Sequence, residues 1–537
     1  MIKIIKNRLF IHTVLLILFF LPFSALYSLD TSELTVSMAP GTIRWNPHYA
    51  YTTAEAQIFT ALYEGLVTVH PATLKPVPGA AESWTISEDG KIYTFKIRKN
   101  ARWSNGEDLT AQDFRQSWLE ILNPETGAEY ASLLDDISGA REYRTGKISA
   151  EKVGIKALDR HTLQVTLNRP SPQFLPILCH YSFTPVYKDF LKVKDWSAIR
   201  SVPVNGPFKI KARNSGEIIL EKNQEYWDSK SVETEQIKII LSDKSDSIME
   251  LFNRGRIDWI ISGMNASGLA DNNALVISPL FSTTYYYFNT KGKIWSDWRI
   301  RRALSLLVPW EQIKKNKLTP ADTLVPGIPG YPAASSGYPA PDEREKEAYK
   351  LLEEAGFPKG KGLPEPVILV PDPGDETAAA MKNAWKEKLS LECIVNTASF
   401  PGYYEAVKEG KCDIATLTWT GDYADPFTFL GMWESSSSLN SAGFTDKKYD
   451  QLLEESALMP LKERYGTLKE AEDILLFTCE VMPVEHFPAV NIIDRRFIDG
   501  WYPNALDLHP FKYLKLKRGY KIPGLADKAD SNCTQSG

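Results

Sequence analysis

Histidine and serine are the residue types with the clearest catalytic potential here, and neither forms a catalytic motif. The chain has seven histidines: His12, His48, His70, His161, His180, His486 and His509. No two of them show the HExxH or HxH spacing that places two imidazoles on one metal ion. No G-x-S-x-G string, which would expose a serine on a strand-to-helix turn, occurs either. The sequence therefore supports neither a zinc hydrolase nor a hydrolase with a serine nucleophile.

The cysteines are widely spaced and form no CxxC pair. They are Cys179, Cys393, Cys412, Cys479 and Cys533. An odd number leaves at least one thiol free within a monomer. Cys393 and Cys412 could form a disulfide, because both are expected on strands. The alternative, which the sparse pattern favours, is that the cysteines are reduced and buried as small apolar side chains.

No string in the chain has the spacing of a nucleotide-binding loop. The string Gly356-Phe-Pro-Lys-Gly-Lys-Gly362 lacks the four-residue gap and the Ser/Thr of a phosphate loop, and it follows a predicted helix rather than a strand. It is better interpreted as a turn after a helix end. No G-x-G-x-x-G string is present. We therefore expect no catalytic residue, no metal site and no cofactor, which favours a binding protein over an enzyme.

The composition is that of a folded protein of several domains. A chain of 537 residues with 43% apolar and 24% charged residues has room for about two to four domains. The net charge of −5 gives no basic excess, so we expect no nucleic-acid partner. The 14 Trp, 24 Tyr and 23 Phe residues suit binding clefts as well as cores, because aromatic rings combine a large contact area with few rotors.

The N-terminus has the pattern of a secretory signal. A basic stretch ending at Arg8 precedes an apolar run over 9–26, with small residues suited to cleavage near Ala25 or Ser28. We predict a signal peptide over 1–28. An uncleaved membrane anchor is the alternative, since the run is just long enough to span a bilayer. No cysteine lies at the junction, so a lipid anchor is not expected.

Strands and helices alternate along the rest of the chain, which predicts a mixed fold of the α/β and α+β type. Residues 84–98 read as a hairpin that turns at Asp-Gly, because glycine accepts the positive φ of a tight turn. Thr110 and Asp113 have the spacing of a capping box at a helix start. A helix is predicted over 343–355, and separate strands over 274–278 and 284–289.

One long segment, 319–341, is rich in proline and glycine. It could be a flexible linker between two domains. It could equally be an ordered surface loop within one domain, held in place by Tyr331 and Tyr338.

Ten short strings follow one another along the chain, within about residues 34–515: 45–48 (WNPH), 62–66 (LYEGL), 78–84 (PGAAESW), 93–106 (YTFKIRKNARWSNG), 110–114 (TAQDF), 205–208 (NGPF), 223–228 (NQEYWD), 299–304 (RIRRAL), 352–364 (LEEAGFPKGKGLP) and 419–426 (WTGDYADP). In this order they resemble the extracytoplasmic solute-binding proteins of ABC importers, in the large peptide and nickel family. Within that family the oligopeptide-binding proteins are the most similar.

The resemblance implies a two-lobed periplasmic-binding-protein fold with an extra third domain and a ligand cleft between the lobes. Chain crossings near Asn289 and Phe487 would form the hinge, and the extra domain would have no evident role in binding. The implied divisions are lobe I over 30–68, 203–288 and 488–520, the extra domain over 69–202, lobe II over 289–487, and a disordered tail over 521–537.

The same resemblance implies a function in peptide transport. The protein would capture oligopeptides in the periplasm, close its lobes around them and deliver them to the permease subunits of an ABC importer in the inner membrane. It is expected to be a monomer. The alternatives are the same fold with a nickel chelate, haem, a sugar or a signalling peptide as its ligand.

The segment 419–426 carries the implied amine-binding site. Asp422 matches the aspartate that pairs with the peptide amine in peptide-binding members, whereas Asp425, next to a proline, better suits a turn. Trp419 and Tyr423 flank Asp422 and would line the cleft. Core packing is the alternative for Trp419.

Further contacts are implied at three other places. Tyr286 and Phe288 belong to an aromatic run in a strand, where alternate rings face opposite sides. Asn205 and Gly206 fall in a string near the cleft, and glycine there would admit a close backbone. Thr416 departs from the family pattern, because oligopeptide-binding members often have an arginine at this place to meet the peptide carboxylate.

Overall fold

The computed structural model describes residues 33–261, 266–399 and 402–517. The predicted signal peptide over 1–28 and the predicted tail over 521–537 lie outside the described residues. Within the described part of the chain, no helix is both long and apolar enough to cross a membrane.

Strands and helices alternate as the sequence predicts. The strands are β1 Glu33–Met38, β2 Val67–Val69, β3 Pro76–Pro78, β4 Ala81–Ile86, β5 Ile92–Ile97, β6 Ile155–Asp159, β7 Thr162–Thr166, β8 Phe208–Arg213, β9 Glu217–Lys222, β10 Gln236–Leu241, β11 Trp259–Ile260, β12 Leu275–Phe288, β13 Val367–Pro371, β14 Ile394–Ala398, β15 Ile414–Thr420, β16 Val481–Ile493, β17 Ile498–Asp499 and β18 Lys515–Leu516. The α-helices are α1 Thr53–Leu62, α2 Ala111–Ile121, α3 Ala140–Arg144, α4 Phe174–Leu178, α5 Ser245–Asn253, α6 Trp298–Leu306, α7 Trp310–Lys315, α8 Arg344–Glu354, α9 Glu376–Leu389, α10 Gly402–Lys408, α11 Phe427–Leu430, α12 Lys447–Ser456 and α13 Leu461–Phe477.

One ten-stranded sheet runs through both halves of the molecule, in the order β14-β13-β15-β12-β16-β11-β1-β10-β9-β8. The long antiparallel strands β12 and β16 lie at its centre and join the halves. We call β1 and β8–β11 with α1 and α5 the first lobe, and β13–β15 with α6–α13 the second lobe. The two lobes therefore share a continuous pair of strands.

The sheet passes from one lobe to the other inside β12, where the sequence predicted two separate strands. The register between β12 and β16 shifts between Pro279 and Thr283, and β15 begins to pair with β12 at Ser282. β12 therefore keeps β16 as a neighbour from Leu275 to Tyr287 and gains β15 on its other side from Ser282 onward. Asn289, the expected crossing, lies one residue beyond the end of the strand. On β16, Phe487 lies beside the same irregularity.

The extra domain is an antiparallel sheet of order β4-β5-β7-β6 with α2, α3 and α4 packed on it. The predicted hairpin is confirmed: β4 and β5 pair across a turn in which Gly90 has a φ of 69°. The capping box at the start of α2 is also confirmed, with Thr110 and Asp113 bonding each other's backbone N–H groups. Local sequence patterns suffice here, because each needs only residues close in the chain.

The segment 319–341 is an ordered loop on the second lobe, as one of the two interpretations predicts. The backbone N–H groups of Leu324 and Val325 donate to the Glu472 carboxylate at 2.7 and 2.9 Å, and the Tyr331 hydroxyl donates to it at 2.7 Å. The hydroxyl of Tyr338 lies within hydrogen-bonding distance of the Ser305 hydroxyl, at 2.5 Å.

All four cysteines that lie in the described residues are free thiols. Cys393 and Cys412 are buried and make no disulfide. The structure thus agrees with the interpretation of these cysteines as small apolar side chains.

Candidate functional site

A cavity of about 670 Å³ lies between the lobes and the extra domain. This is the size of a typical small-ligand or peptide site. The first lobe contributes α1 residues and the second lobe contributes the end of β15. Lining residues include Thr52, Glu129, Tyr130, His180, Tyr181, Tyr286, Lys317, Asp372, Asp375, Thr416, Thr418, Trp419, Asp422, Glu485, Phe487 and Asp507.

Asp422 comes two residues after β15 ends and carries a nearly buried carboxylate, with 9% of its side chain exposed. Its backbone N–H donates to the Thr428 hydroxyl at 2.9 Å, and that hydroxyl lies 3.4 Å from Oδ2. A Cβ on the preceding Gly421 would lie 2.6 Å from the Phe281 ring and 2.8 Å from the Thr428 methyl group. Glycine is thus required there to bring Asp422 to the cavity wall.

His180, on the extra domain, lies beside Asp422 on the cavity wall. Its Nδ1 accepts from the Ser182 N–H at 3.3 Å, so the proton of the neutral ring is on Nε2. Nε2 lies 3.4 Å from Asp422 Oδ1. The imidazole lies against the ring of Tyr130, whose centroid is 4.4 Å away. Burial and the negative charge of Asp422 raise the pKa of Tyr130 well above its ordinary value, so its hydroxyl stays protonated.

The contacts of Asp422 leave room for a cation. A buried carboxylate is stable when charged or neutral donors satisfy its oxygens. Its contacts to Thr428 and to His180 are both 3.4 Å long, at the weak end of hydrogen bonding. An ammonium group would form shorter, charge-assisted bonds with the same oxygens.

One edge of β15 is open beside Asp422. The strand β13 pairs only with the first two residues of β15, Ile414 and Ala415. From Thr416 on, β15 pairs with β12 on its other side alone, as far as Thr420. Thr416 itself bonds the Tyr403 hydroxyl through its backbone. The backbone after it, over 417–420, presents N–H and C=O groups to which an extended chain can pair.

Carboxylates outnumber cationic groups on the cavity wall. Lining carboxylates are Glu129, Asp372, Asp375, Asp422, Glu485 and Asp507, while Lys317 is the lysine among the lining residues. The Lys317 ammonium lies 3.9 Å from Glu485 Oε2 and is 31% exposed on its side chain. The wall therefore favours a ligand with positive charge, and Lys317 is placed to meet a negative group.

Trp419 and Tyr286, two of the expected contacts, line the cavity. The Trp419 indole N–H donates to the Thr428 carbonyl at 3.1 Å, and the ring also packs against the cores of the extra domain and the second lobe. The Tyr286 hydroxyl donates to the Asp375 carboxylate, which also caps α9. Both rings are thus held in fixed positions on the wall.

Tyr423 and Phe288 lie elsewhere. Tyr423 is buried against the core of the extra domain, on the far side of Asp422 from the main cavity. Phe288 is buried in the second lobe, 5.9 Å from the Trp295 ring. The alternation of side chains along a strand limits how many rings can face a ligand. It does not show whether the side that Phe288 faces is a ligand cavity or a protein core, because both are apolar.

Asn205 and Gly206 contact the protein's own backbone rather than the cavity. The Asn205 amide donates to the Glu64 carbonyl at 2.7 Å and accepts from its N–H at 3.2 Å. A Cβ on Gly206 would lie 2.5 Å from the carbonyl carbon of Leu62. A close backbone does pass this glycine, as expected, but it is the segment after α1. Both residues stabilise the first lobe.

The extra domain, expected to have no evident role in binding, contributes to the cavity wall. Its lining residues include Glu129, Tyr130, Cys179, His180 and Tyr181. Sequence reasoning missed them because His180 is one of seven isolated histidines with no motif spacing. Its importance comes from a contact with Asp422, more than two hundred positions away in the chain.

Among the described residues, no group of three or more His, Cys, Asp or Glu side chains is arranged to hold a metal ion. His486 is half-buried, and partial desolvation lowers its pKa to about 4. His48 is fully buried, and desolvation lowers its pKa to about 4 as well. Both rings are therefore neutral at neutral pH.

Comparison with known proteins places this geometry in a family. The family of bacterial extracellular solute-binding proteins, family 5, matches residues 75–441. The oligopeptide-binding protein OppA of Bacillus subtilis is 31% identical over 464 residues, covering 82% of this chain and 84% of the relative.

Two solved structures show the same two-lobed architecture. The murein tripeptide-binding protein MppA of Escherichia coli has a TM-score of 0.81 at 25% identity, covering 91% of this chain and 99% of that one. OppA of Haemophilus influenzae in complex with the peptide RPPGFSPFR has a TM-score of 0.80 at 25% identity, with the same coverage. The chain belongs to the bacterial extracellular solute-binding proteins of family 5, which are binding proteins rather than enzymes.

Proposed function

We propose that the protein captures oligopeptides outside the cytoplasm and delivers them to an ABC importer. The peptide lies extended in the cavity, with its amine at Asp422 and its backbone along β15. The buried carboxylate of Asp422 beside an open strand edge carries this proposal. The peptide-binding relatives, one of them solved with a bound peptide, support it.

The amine end is recognised by charge. The ligand's ammonium takes the position between Asp422 and the tyrosines of the extra domain, and its attraction to a carboxylate that is 9% exposed is only weakly screened. The contact of the His180 ring with these oxygens is long, at 3.4 Å, so a ligand ammonium that forms shorter, charge-assisted bonds can replace it. Peptides with a free amine are therefore preferred.

The peptide backbone is recognised without reading its sequence. Main-chain groups of the ligand pair with the open edge of β15 over 417–420, as in strand addition to a sheet. Threonines and Trp419 on this strand leave space for water, which adapts the wall to different side chains. This mode of binding accounts for a protein that accepts many peptides.

The carboxylate end is recognised more loosely. Thr416 stands where oligopeptide-binding members often have arginine, and its hydroxyl donates to the Tyr285 carbonyl at 3.2 Å. We assign the role of meeting the ligand carboxylate to Lys317, whose flexible side chain reaches the cavity from the segment after α7. A long flexible cation can follow carboxylates of peptides that differ in length.

Closure of the lobes around the ligand completes the proposal. The division into lobe I (30–68, 203–288, 488–520), extra domain (69–202) and lobe II (289–487) follows the hydrophobic cores in outline, while Tyr181, Val186 and Trp196 of the extra-domain range pack in the core of the first lobe. Strands β12 and β16 provide the connections that bend. A ligand that contacts both lobes stabilises the closed state by its difference in affinity for the two states, and the permease recognises that state. The names of periplasmic relatives support export through the predicted signal peptide.

The test is mass spectrometry of the ligand released when the purified mature protein is denatured. A mixture of short peptides with free amines is the expected result, and the spread of their lengths measures how loosely the carboxylate end is held. Release of a single non-peptide compound, such as a nickel chelate, haem or a sugar, would keep the family and overturn the peptide proposal.

A further inference from the structure

A second cavity of about 360 Å³ lies on the other side of Asp422. It shares Asp422, Val69 and Leu506 with the main cavity, so the two spaces adjoin at the amine-binding carboxylate. Its volume alone lies within the range of small-ligand sites. Asp422 is thus a partition between two spaces rather than the end wall of one.

The walls of this second cavity are mostly apolar. The extra domain and the segment before it contribute one side, and the second lobe contributes the other. Apolar lining residues are Val69, Leu74, Pro172, Pro176, Met459 and Leu461. Such walls favour a hydrocarbon group over water.

Apart from Asp422, which the peptide's amino end occupies, the charged side chains of this cavity offer no free carboxylate to a cation. The guanidinium of Arg464 donates to both oxygens of Asp425, at 2.7 Å each, and only 2% of the Arg464 side chain is exposed. Lys75, on the rim, adds a positive charge. An additional ammonium group is therefore disfavoured here, and a neutral group is favoured.

Three lining residues carry buried polar atoms without a hydrogen-bond partner among the described residues. They are Gln173 Oε1, Tyr423 Oη and Arg464 Nε. Gln173 and Tyr423 are each 3% exposed. Buried polar atoms are usually paired, so unpaired ones need an explanation. The hydroxyl and the guanidinium N–H are donors without an acceptor that lie under the wall of this cavity, and a ligand carbonyl oxygen can satisfy one of them once the wall shifts locally.

We propose that this second cavity binds an apolar acyl group attached to the amino end of a peptide, so that the protein takes N-acylated peptides as well as free ones. The inference rests on the proposed function, since it places the peptide's first residue at Asp422. The amide N–H of the acylated residue donates to Asp422, and the hydrocarbon chain packs against the apolar wall. The acyl carbonyl supplies the acceptor that the wall lacks.

The test compares one peptide in three forms, with a free amine, an acetyl group or a hexanoyl group, by titration calorimetry on the full mature chain. Acetylation removes the ammonium and weakens binding. Each further buried methylene restores about threefold to fourfold in affinity, so burial of the four methylenes by which hexanoyl exceeds acetyl should tighten binding by about a hundredfold. A hexanoyl peptide that binds no tighter than the acetyl peptide overturns the proposal.

A charge introduced on the wall of the second cavity distinguishes binding there from binding in the main cavity. Leu461→Glu alters an exposed residue (62%) that lines the second cavity only, and Leu458→Glu is the matched control at 66% exposure with no place in either cavity. Leu461→Glu should lower hexanoyl-peptide affinity by about fivefold, leaving the free-amine peptide unchanged, and Leu458→Glu should change neither. Equal loss for both peptides, or equal loss in the control, contradicts the second cavity as an acyl site. Absence of binding by the free-amine peptide would instead contradict the proposed function.

Discussion

The two charged groups that we assign to the two ends of the ligand are held in different ways. At the amine end, Asp422 is 9% exposed and touches groups from two domains, Thr428 on the second lobe and His180 on the extra domain. At the other end, Lys317 is 31% exposed and lies 3.9 Å from its nearest carboxylate, Glu485. One end is a fixed short side chain and the other is a long flexible one.

The difference implies that the protein measures peptides from their amino end. A short carboxylate held just beyond a strand end allows one position for the ammonium, because its rotamers are limited by packing. A lysine with four methylenes can follow its partner over several ångströms at an entropic cost. We therefore expect ligand length to be loosely selected and a free amine to be strongly selected.

The largest expected effect is at the fixed end. Asp422→Asn should weaken the binding of a free-amine peptide by about tenfold or more, equivalent to about 1.4 kcal/mol, because the amide keeps the shape but loses the charge. Titration calorimetry measures it. Asp372→Asn, which removes the same charge from the same cavity wall, is the control. An equal loss in both variants would mean that the cavity's overall field, and not Asp422, binds the amine.

The carboxylate-rich wall leads to a second prediction, on the peptide's side chains. A peptide with lysine at a middle position should bind about fivefold tighter than its glutamate counterpart at low salt, and the ratio should shrink as salt is added. Fluorescence titration at two salt concentrations measures this. A glutamate peptide that binds as well would show that the six lining carboxylates are compensated within the protein.

The flexible end should respond more weakly. Lys317→Met keeps the length of the side chain and removes its charge, and it should cost about threefold in affinity for a peptide with a free carboxylate. Amidation of the peptide carboxylate should lower the affinity of the wild type by the same factor, and it should not lower the affinity of the Lys317→Met variant any further. A loss as large as that of Asp422→Asn would contradict the contrast between the two ends.

The smallest predicted effect concerns the ordered loop beside Lys317. Burial raises the pKa of Glu472 from 4.5 to about 7, against the donors of the loop that lower it. The folded state thus holds this proton more tightly than the unfolded chain, so the stability from Glu472 is complete below pH 4.5 and is lost as the pH rises through 7. Glu472→Gln, which has nearly the same shape, should therefore show a smaller fall in Tm over this range.

Thermal unfolding at a series of pH values measures this effect. The exposed Glu409→Gln variant is the control and should keep the wild-type slope. Burial also raises the pKa of Glu480 to about 7. Glu480 is present in every variant, so its contribution to the pH dependence of stability is the same in all of them. An unchanged slope in Glu472→Gln would place the pH dependence elsewhere.

Much of the fold was open to prediction from local patterns. The hairpin at Gly90, the capping box at Thr110 and the helix before Gly356 depend on residues within a few positions of one another. The two predicted strands over 274–278 and 284–289 proved to be a single strand, β12. The polar residues Ser282, Thr283 and Thr284 interrupt its apolar pattern, but they lie between two neighbouring strands, a contact that local sequence cannot reveal.

The site itself was only partly predictable. Asp422 was proposed as the amine ligand from the family resemblance of its string, and Thr428, which bonds Asp422, is only six residues away. His180 and Lys317 reach the cavity through tertiary packing alone. The string at Asn205 and Gly206 was expected near the ligand. These residues instead stabilise the contact with the protein's own backbone, in the segment after α1. A resemblance marks such positions without saying whether they touch the ligand.

The central claim, that Asp422 binds the ligand's amine, is tested most directly by a cycle of two peptides and two proteins. The free and the N-acetylated forms of one peptide are titrated into the wild type and into Asp422→Asn. The account predicts that acetylation lowers the affinity about tenfold or more in the wild type and less than about twofold in the variant, because Asp422→Asn has already removed the ammonium–carboxylate pair. An acetylation cost that is the same in both proteins would contradict the account.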